Sequence, residues 1–258
     1  MEIDDLKSLA GRKKIPQGII YKDYVITAIL EKISERSYSE KLIFKGGTCL
    51  KKIYFEETRF SVDIDFTCLE YGVPGKMVSN LKSELEGKTV RSITFDKIRE
   101  HGRWENSVSY KVKYKDLNEH PNSVKIDMSH REVPILEPEI RNILNPDYDQ
   151  IPDFELMVFP LKEILAEKFR AVFTRNVARD VFDVWFLLRK GVEMDLRLVE
   201  KKMEIYDDIE FKKDDFINKI EEKRDHWERD LRMLVPDSPG FDMVRDYIEK
   251  VLASFEHE

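Results

Sequence analysis

The spacing of apolar residues changes once along this chain, near residue 161. Before that point, segments with apolar residues at every second position are interspersed with segments of helical spacing, and residues 107–116 give the clearest alternation. After it, the spacing is helical throughout. The pattern predicts an α/β core with a mixed sheet over residues 1–160, followed by a helical region over residues 161–258.

The element boundaries follow from the same spacing and from the positions of glycine and proline. In the first region, the sequence predicts helices at 20–37, 48–55 and 74–86, strands at 42–44, 59–67, 90–97, 107–116 and 123–130, and a proline-containing loop over 133–160. The order is a helix, then strands mixed with helices, then helices alone.

Composition indicates a globular chain that stays out of membranes. Apolar residues make up 41% and charged residues 37% of the sequence. No apolar run approaches the roughly 20 residues that a membrane helix needs, and the first residues do not resemble a signal peptide. Two cysteines, Cys49 and Cys68, cannot build a disulfide framework. We therefore expect a cytoplasmic protein with reduced thiols.

The net charge of −7 is unevenly distributed. Residues 192–258 carry 20 acidic and 12 basic side chains, so the acid excess lies there. The remainder of the chain is close to neutral and leaves room for a local basic surface toward phosphates.

The most specific local pattern is Ser61-Val62-Asp63-Ile64-Asp65-Phe66. On a strand, residues two apart share a face, so Asp63 and Asp65 point together, away from the apolar residues between them. Two adjacent carboxylates repel unless a cation lies between them, and Mg²⁺ prefers such oxygen ligands. The pattern favours a magnesium site, although a solvated strand face also accommodates two aspartates.

A second predicted strand supplies a third carboxylate. The apolar residues of 123–128 occupy one strand face, which leaves Asp127 on the other. If the two strands are neighbours, Asp127 meets Asp63 and Asp65, and such a cluster binds one or two Mg²⁺ ions that clamp a triphosphate. Taken alone, Asp127 is more typical of an exposed strand residue than of a metal ligand.

Gly46 and Gly47 join a predicted strand to a predicted helix. Paired glycines allow the backbone to approach a phosphate closely, and a helix N-terminus attracts anions. Thr48 adds a hydroxyl donor. Most glycine pairs are simple turns, but Gly47 lies 16 residues before Asp63, and this combination favours a site for nucleotide phosphates.

Together, Gly46-Gly47-Thr48-Cys49-Leu50 and Arg59-x-Ser61-x-Asp63-x-Asp65 resemble the nucleotidyltransferase superfamily related to DNA polymerase β. Within it, the pattern is similar to the AbiEii/AbiGii toxin branch of type IV abortive-infection toxin–antitoxin systems, over about residues 40–190. The resemblance implies a polymerase β-like mixed sheet and a helical region over residues 161–258 that completes the nucleotide cleft. It also implies that the glycine turn holds the nucleotide phosphates and that the two aspartates hold Mg²⁺.

The helical region carries a second motif. Lys168 falls within an apolar helix face, which is costly unless its ammonium group reaches water or an anion. It is therefore either a snorkelling side chain or a phosphate ligand. The next predicted helix places Asp180 and Asp183 on a narrow polar side, which suits a structural ion pair or an active-site role. The run from Glu163 to Asp183 resembles the second signature of the toxin branch, which implies that Lys168 binds the nucleotide and that Asp180 supports the active site.

Three further features are weaker. Lys111, Lys113 and Lys115 form a basic stripe on one strand face, which is more typical of a solvated face or a sheet edge than of an RNA contact. Arg59 is placed either to contact phosphate or to pair with a nearby acid. Ser61 shares the face of the two strand aspartates, where its hydroxyl suits a nucleotide contact.

These motifs predict Mg²⁺-dependent transfer of a nucleoside monophosphate from an NTP to an acceptor hydroxyl. The predicted catalytic residues are Asp63, Asp65, Asp127 and Asp180, of which the first three are metal ligands. The predicted nucleotide ligands are Gly46, Gly47, Thr48, Arg59, Ser61 and Lys168. The resemblance implies a toxin that acts on an RNA such as tRNA and that has an antitoxin protein as its partner.

Two other functions fit the same sequence. One is a small-molecule nucleotidyltransferase of the antibiotic-modifying kind, and the other is a catalytically silent module that binds a nucleotide or a partner. The intact pair Asp63 and Asp65 favours an enzyme. The sequence leaves open whether the acidic helices after residue 192 cap the nucleotide cleft or bind a partner.

Overall fold

The structure is a computed structural model, and it describes residues 3–205 and 210–254. The chain divides into two compact units, Met1–Phe159 and Pro160–Glu258.

The first unit combines four helices with eight strands in the part of the chain that the structure describes. The helices are α1 (Ile3–Lys13), α2 (Gln17–Ser34), α3 (Gly46–Cys49), which continues as a π-helical turn (Leu50–Tyr54), and α4 (Val73–Leu85). The strands are β1 (Leu42–Lys45), β2 (Asp63–Cys68), β3 (Thr89–Val90), β4 (Ile93–Trp104), β5 (Ser107–Lys115), β6 (Pro121–Ser129), β7 (Glu139–Asn142) and β8 (Glu155–Val158).

The strands form one mixed sheet in the order β3-β4-β5-β6-β2-β1-β8-β7. Two neighbouring pairs are parallel, β2 with β6 and β1 with β8, and the other pairs are antiparallel. Helices α2 and α4 contact β6 and β4, respectively. The predicted α/β class with a mixed sheet is confirmed.

Strand β5 shows why the sheet has one apolar and one polar face. Val112 and Tyr114 are buried, and so are the residues at the same alternate positions before them. Lys111 and Lys113, on the opposite face, are partly exposed. β-branched and aromatic residues at every second position fit a pleated surface covered on one side. The predicted alternation of this segment is therefore confirmed.

The prediction of a loop over 133–160 is wrong, because β7 and β8 lie within it. Both strands have only four residues, and β7 is an edge strand with mostly exposed side chains. Segments this short give too few alternating positions for a strand pattern. Partner strands supply the missing stabilisation, since β8 pairs with both β1 and β7.

Two predicted boundaries near the motifs also differ. The strand predicted at 59–67 begins only at Asp63, and the preceding four residues belong to neither a helix nor a strand. The helix predicted at 48–55 begins at Gly46, so the glycine pair belongs to its first turn. The other predicted helices and strands of this unit are present with shifts of a few residues, except that β4 extends to Trp104.

The second unit is helical throughout the residues described. It contains α5 (Leu161–Thr174), α6 (Ala178–Arg189), α7 (Leu196–Glu204), α8 (Lys213–Glu221), α9 (Trp227–Leu231) and α10 (Phe241–Ala253). A cluster of aromatic rings joins α5 to α8, with Phe169 stacked on Phe216 at 4.7 Å between ring centroids. Among the described residues of the chain, no helix is long and apolar enough to cross a membrane.

Candidate active site

Strand β2 places two carboxylates on the polar face of the sheet. Asp63 and Asp65 are partly exposed, whereas Ile64 and Phe66 are almost fully buried on the other face. The alternation predicted from the sequence is confirmed, because residues two apart on a strand share a face.

Strand β6 brings the third carboxylate to the same place. It runs parallel to β2, with Asp127 directly opposite Asp65. Neighbouring strands lie about 4.8 Å apart, so opposite residues project side by side. Burial and the charge of Asp65 raise the pKa of Asp127, against the lowering effect of a hydrogen bond from Lys125. The strands predicted to carry the three aspartates are therefore neighbours.

Lys125 is the fourth side chain at this position, and the sequence reasoning missed it. It lies opposite Asp63 in the β2–β6 pair, and its Nζ lies 2.7 Å from Oδ2 of Asp127. Burial lowers the pKa of Lys125, but the Asp127 hydrogen bond and the charges of Asp127, Asp63 and Asp65 raise it overall. The signal was present, since Lys125 is two residues before Asp127 and so shares its face.

The chemistry of these side chains fits a hard divalent cation. Carboxylate oxygens are the ligands that Mg²⁺ takes in proteins, and Asp65 and Asp127 project from directly opposite positions. In the orientation that the structure gives them, the described residues hold no group of three or more His, Cys, Asp or Glu side chains gathered for a metal. An ammonium group, that of Lys125, contacts Asp127 instead.

The two glycines lie against this face. Gly46 has φ of +77°, and a Cβ added to it would lie 2.5 Å from Oδ2 of Asp65. A Cβ added to Gly47 would lie 2.5 Å from the Arg59 guanidinium and 3.1 Å from the Ser61 hydroxyl. The absence of side chains at both positions allows α3 to begin directly beside the carboxylates.

We expect Gly46→Ala to lower the free energy of unfolding by about 2 kcal/mol. A non-glycine residue at positive φ costs about 1–2 kcal/mol, and the new methyl group would displace Asp65. The matched variant Gly11→Ala lies in helix α1, where an added Cβ meets no atom within 4 Å. It should stabilise the chain by up to about 1 kcal/mol. Urea unfolding of both variants tests this, and equal effects would contradict it.

Three other predicted nucleotide ligands surround the glycines. Thr48 is buried, and its hydroxyl donates a hydrogen bond to the backbone carbonyl of Asp63. Arg59 is 5% exposed and donates to the carbonyl of Phe60 at 3.1 Å. Ser61 is 8% exposed. The Thr48 hydrogen bond links α3 to β2. Contacts of all three residues with a nucleotide stay predictions.

In the second unit, Lys168 lies in a buried ion cluster. Its Nζ is 2.8 Å from Oδ1 of Asp180 and 2.7 Å from Oδ2 of Asp183, and all three side chains are at most 6% exposed. Arg175 contacts the other oxygen of Asp180 at 2.9 Å. The apolar surroundings of the lysine are thus balanced by two carboxylates, as a structural ion pair requires. Nucleotide binding by Lys168 and a catalytic role of Asp180 stay predictions.

Similarity to known proteins decides the family. A family model described as "Nucleotidyl transferase AbiEii toxin, Type IV TA system" matches residues 28–251. The chain belongs to the AbiEii family. It is therefore a nucleotidyltransferase toxin of a type IV toxin–antitoxin family, and the resemblance seen in the sequence is confirmed.

Two solved structures share the fold. MenT4, a nucleotidyltransferase toxin from Mycobacterium tuberculosis H37Rv, is 17% identical with a TM-score of 0.73, and the match covers 100% of this chain and 90% of MenT4. JHP933 from Helicobacter pylori is 18% identical with a TM-score of 0.62, over 94% of this chain and 97% of JHP933. Among proteins with curated descriptions, none matches the sequence.

Proposed function

We propose that this chain transfers a nucleoside monophosphate from an NTP to a hydroxyl group of an RNA, in a reaction that depends on Mg²⁺. One observation carries the proposal: Asp63, Asp65 and Asp127 occupy neighbouring positions on one face of the sheet in a chain of a nucleotidyltransferase family. Because the family is a toxin family, an antitoxin protein is its expected partner, and tRNA is the first acceptor to test.

Different residues have different roles in the proposed reaction. Asp63, Asp65 and Asp127 would hold Mg²⁺, which supplies charge neutralisation on the phosphates and lowers the pKa of a bound hydroxyl. The backbone at Gly46 and Gly47 would approach the triphosphate. Asp127 accepts the proton of the acceptor hydroxyl. The hydroxyl oxygen then bonds to the α-phosphorus, and pyrophosphate leaves.

The test is a transfer assay with each α-labelled NTP, Mg²⁺ and total tRNA, run beside the Asp63→Ala variant. Label in RNA that is lost in the variant supports the proposal and names the base. Binding of Mg-NTP without label in any RNA contradicts an RNA acceptor. A scan of hydroxylated small molecules then separates a small-molecule transferase from a silent nucleotide-binding module.

Lys125→Met should tighten divalent-metal binding. The Lys125 ammonium neutralises Asp127 in this structure and lies opposite Asp63, so a metal must displace it from these carboxylates. Both partners of the pair are about one-third exposed, and solvent screens such pairs. We therefore expect a modest gain of about three- to tenfold in affinity.

Mn²⁺ is the probe for this measurement, by calorimetric titration of the full chain without nucleotide. Lys113→Met is the matched control, because Lys113 lies on the same sheet face one strand away, opposite Ser123. An equal gain in both variants would indicate a general effect of net charge. Weaker Mn²⁺ binding by Lys125→Met would contradict the proposal that Lys125 competes with the metal for these carboxylates.

A further inference from the structure

Two large aromatic rings are exposed near the C-terminal ends of the parallel strands β2 and β6. Tyr71 follows β2 and is 75% exposed, and Trp104 at the end of β4 is 60% exposed. The other two tryptophans, Trp185 and Trp227, are buried. Exposed aromatic surface of this size is unfavourable in water, and where it is concentrated it marks binding sites.

Each ring is supported from behind and exposed on its outer face. Tyr71 stacks on the imidazole of His130, with 4.4 Å between centroids and 26° between planes. His130 is itself fixed by a hydrogen bond of 3.0 Å between Nδ1 and the carbonyl of Cys68. Trp104 lies on Gly102, where an added Cβ would be only 2.5 Å from the indole. Both rings are thus fixed before any ligand arrives.

The two rings line one concavity of about 220 Å³. Its wall also carries His130, Arg103 and Glu105. The Arg103 guanidinium is oriented by Glu100 at 2.6 Å. The lining is thus aromatic and polar more than aliphatic. Flat π surfaces beside a guanidinium and a carboxylate match a ring that stacks on its faces and forms hydrogen bonds at its edge.

We infer that this concavity binds an unpaired nucleobase. The residues that form the site are Tyr71, Trp104, His130, Arg103 and Glu105. Aromatic platforms of this kind bind the bases of single-stranded nucleic acids, at about 1–3 kcal/mol for each stacked base.

The site extends the proposed function by giving the RNA acceptor a docking place at the end of β6, and that link rests on the proposed function. His130 is three residues beyond Asp127, which corresponds to about 10 Å along the strand. Base binding itself needs neither metal nor NTP.

The experiment uses intrinsic tryptophan fluorescence of the full chain without metal. The RNA hexamer A6 should quench the emission saturably, because Trp104 is exposed while Trp185 and Trp227 are buried. Trp104→Phe should lose the quenching. By anisotropy of labelled A6, Tyr71→Ala should bind about tenfold more weakly, as the loss of one stacking platform predicts.

The control variant is Ile140→Ala, which removes an exposed apolar side chain from the edge strand β7. It should leave A6 binding unchanged. AMP distinguishes the source of the base: binding as tight as that of A6 indicates a free nucleotide, and much weaker binding indicates a nucleic-acid strand.

Two results would overturn the inference. One is the absence of A6 binding, which would leave the exposed rings to a protein partner. The other is A6 binding that Tyr71→Ala does not change. Asp63→Ala should keep A6 binding intact, so failure of catalysis and failure of this site are separable.

Discussion

Asp63→Asn should reduce nucleotide transfer by at least about a thousandfold, equal to about 4 kcal/mol of transition-state stabilisation. The asparagine keeps the shape of the side chain but removes one negative charge from the polar face of β2. With Asp65 and Asp127 alone, the proposed site loses a ligand to the metal that carries the triphosphate. The measurement is the initial rate of label transfer at saturating NTP and Mg²⁺.

The fold should tolerate this change. Removing one of several adjacent carboxylates relieves repulsion, so the melting temperature should stay level or rise slightly. Asp153→Asn is the matched control, because Asp153 is an exposed aspartate in the segment between β7 and β8. It should keep full activity. Retention of more than a tenth of the wild-type rate by Asp63→Asn would contradict the assignment of Asp63 as a metal ligand.

Lys202→Met should destabilise the second unit by about 3–5 kcal/mol, since it removes one partner of a buried ion cluster. The Lys202 ammonium is 2.6 Å from Oε1 of Glu163 and 3.4 Å from Oε1 of Glu167. Lys202 and Glu163 are completely buried. Methionine fills similar volume but leaves two buried carboxylates without this cation. Urea unfolding followed by tryptophan emission measures the loss, because Trp185 and Trp227 lie buried in this unit.

Lys168→Met is the informative companion, because Lys168 also lies buried between two carboxylates. Both variants should lose similar stability. If Lys168 also binds nucleotide, only Lys168→Met loses affinity for NTP when binding is measured on folded protein. Equal NTP affinities would assign Lys168 to the ion cluster alone. A loss below about 1 kcal/mol in Lys202→Met would contradict the value expected for a broken buried pair.

Local patterns predicted the faces of the strands well. Alternation assigned Asp63 and Asp65 to one face and Ile64 to the other, and the structure confirms this. Which strands are neighbours depends on pairing between distant segments, which local spacing does not give. The sequence therefore predicted that Asp127 meets Asp65 only if their two strands are neighbours. The structure fulfils this condition through the parallel β2–β6 pair.

The failures have physical causes as well. Strands β7 and β8 escaped prediction because four residues give too short a pattern and their stability comes from partner strands. Lys125 escaped because its position opposite Asp63 depends on the pairing of β6 with β2, which local spacing does not give. For Lys168, the sequence could not distinguish a phosphate from protein carboxylates as the balancing anion, since Asp180 and Asp183 follow one helix later.

The parallel pairing of β2 with β6 also has a consequence for the newly made chain. Asp127 follows Asp65 by 62 positions, and the two meet only when β6 docks beside β2. A nascent polypeptide that ends before Pro121 contains Asp63 and Asp65 but lacks the strand that carries Asp127. Contacts between distant segments form late because a long loop must close first. The proposed catalytic centre of this toxin therefore assembles only after about half of the chain has left the ribosome.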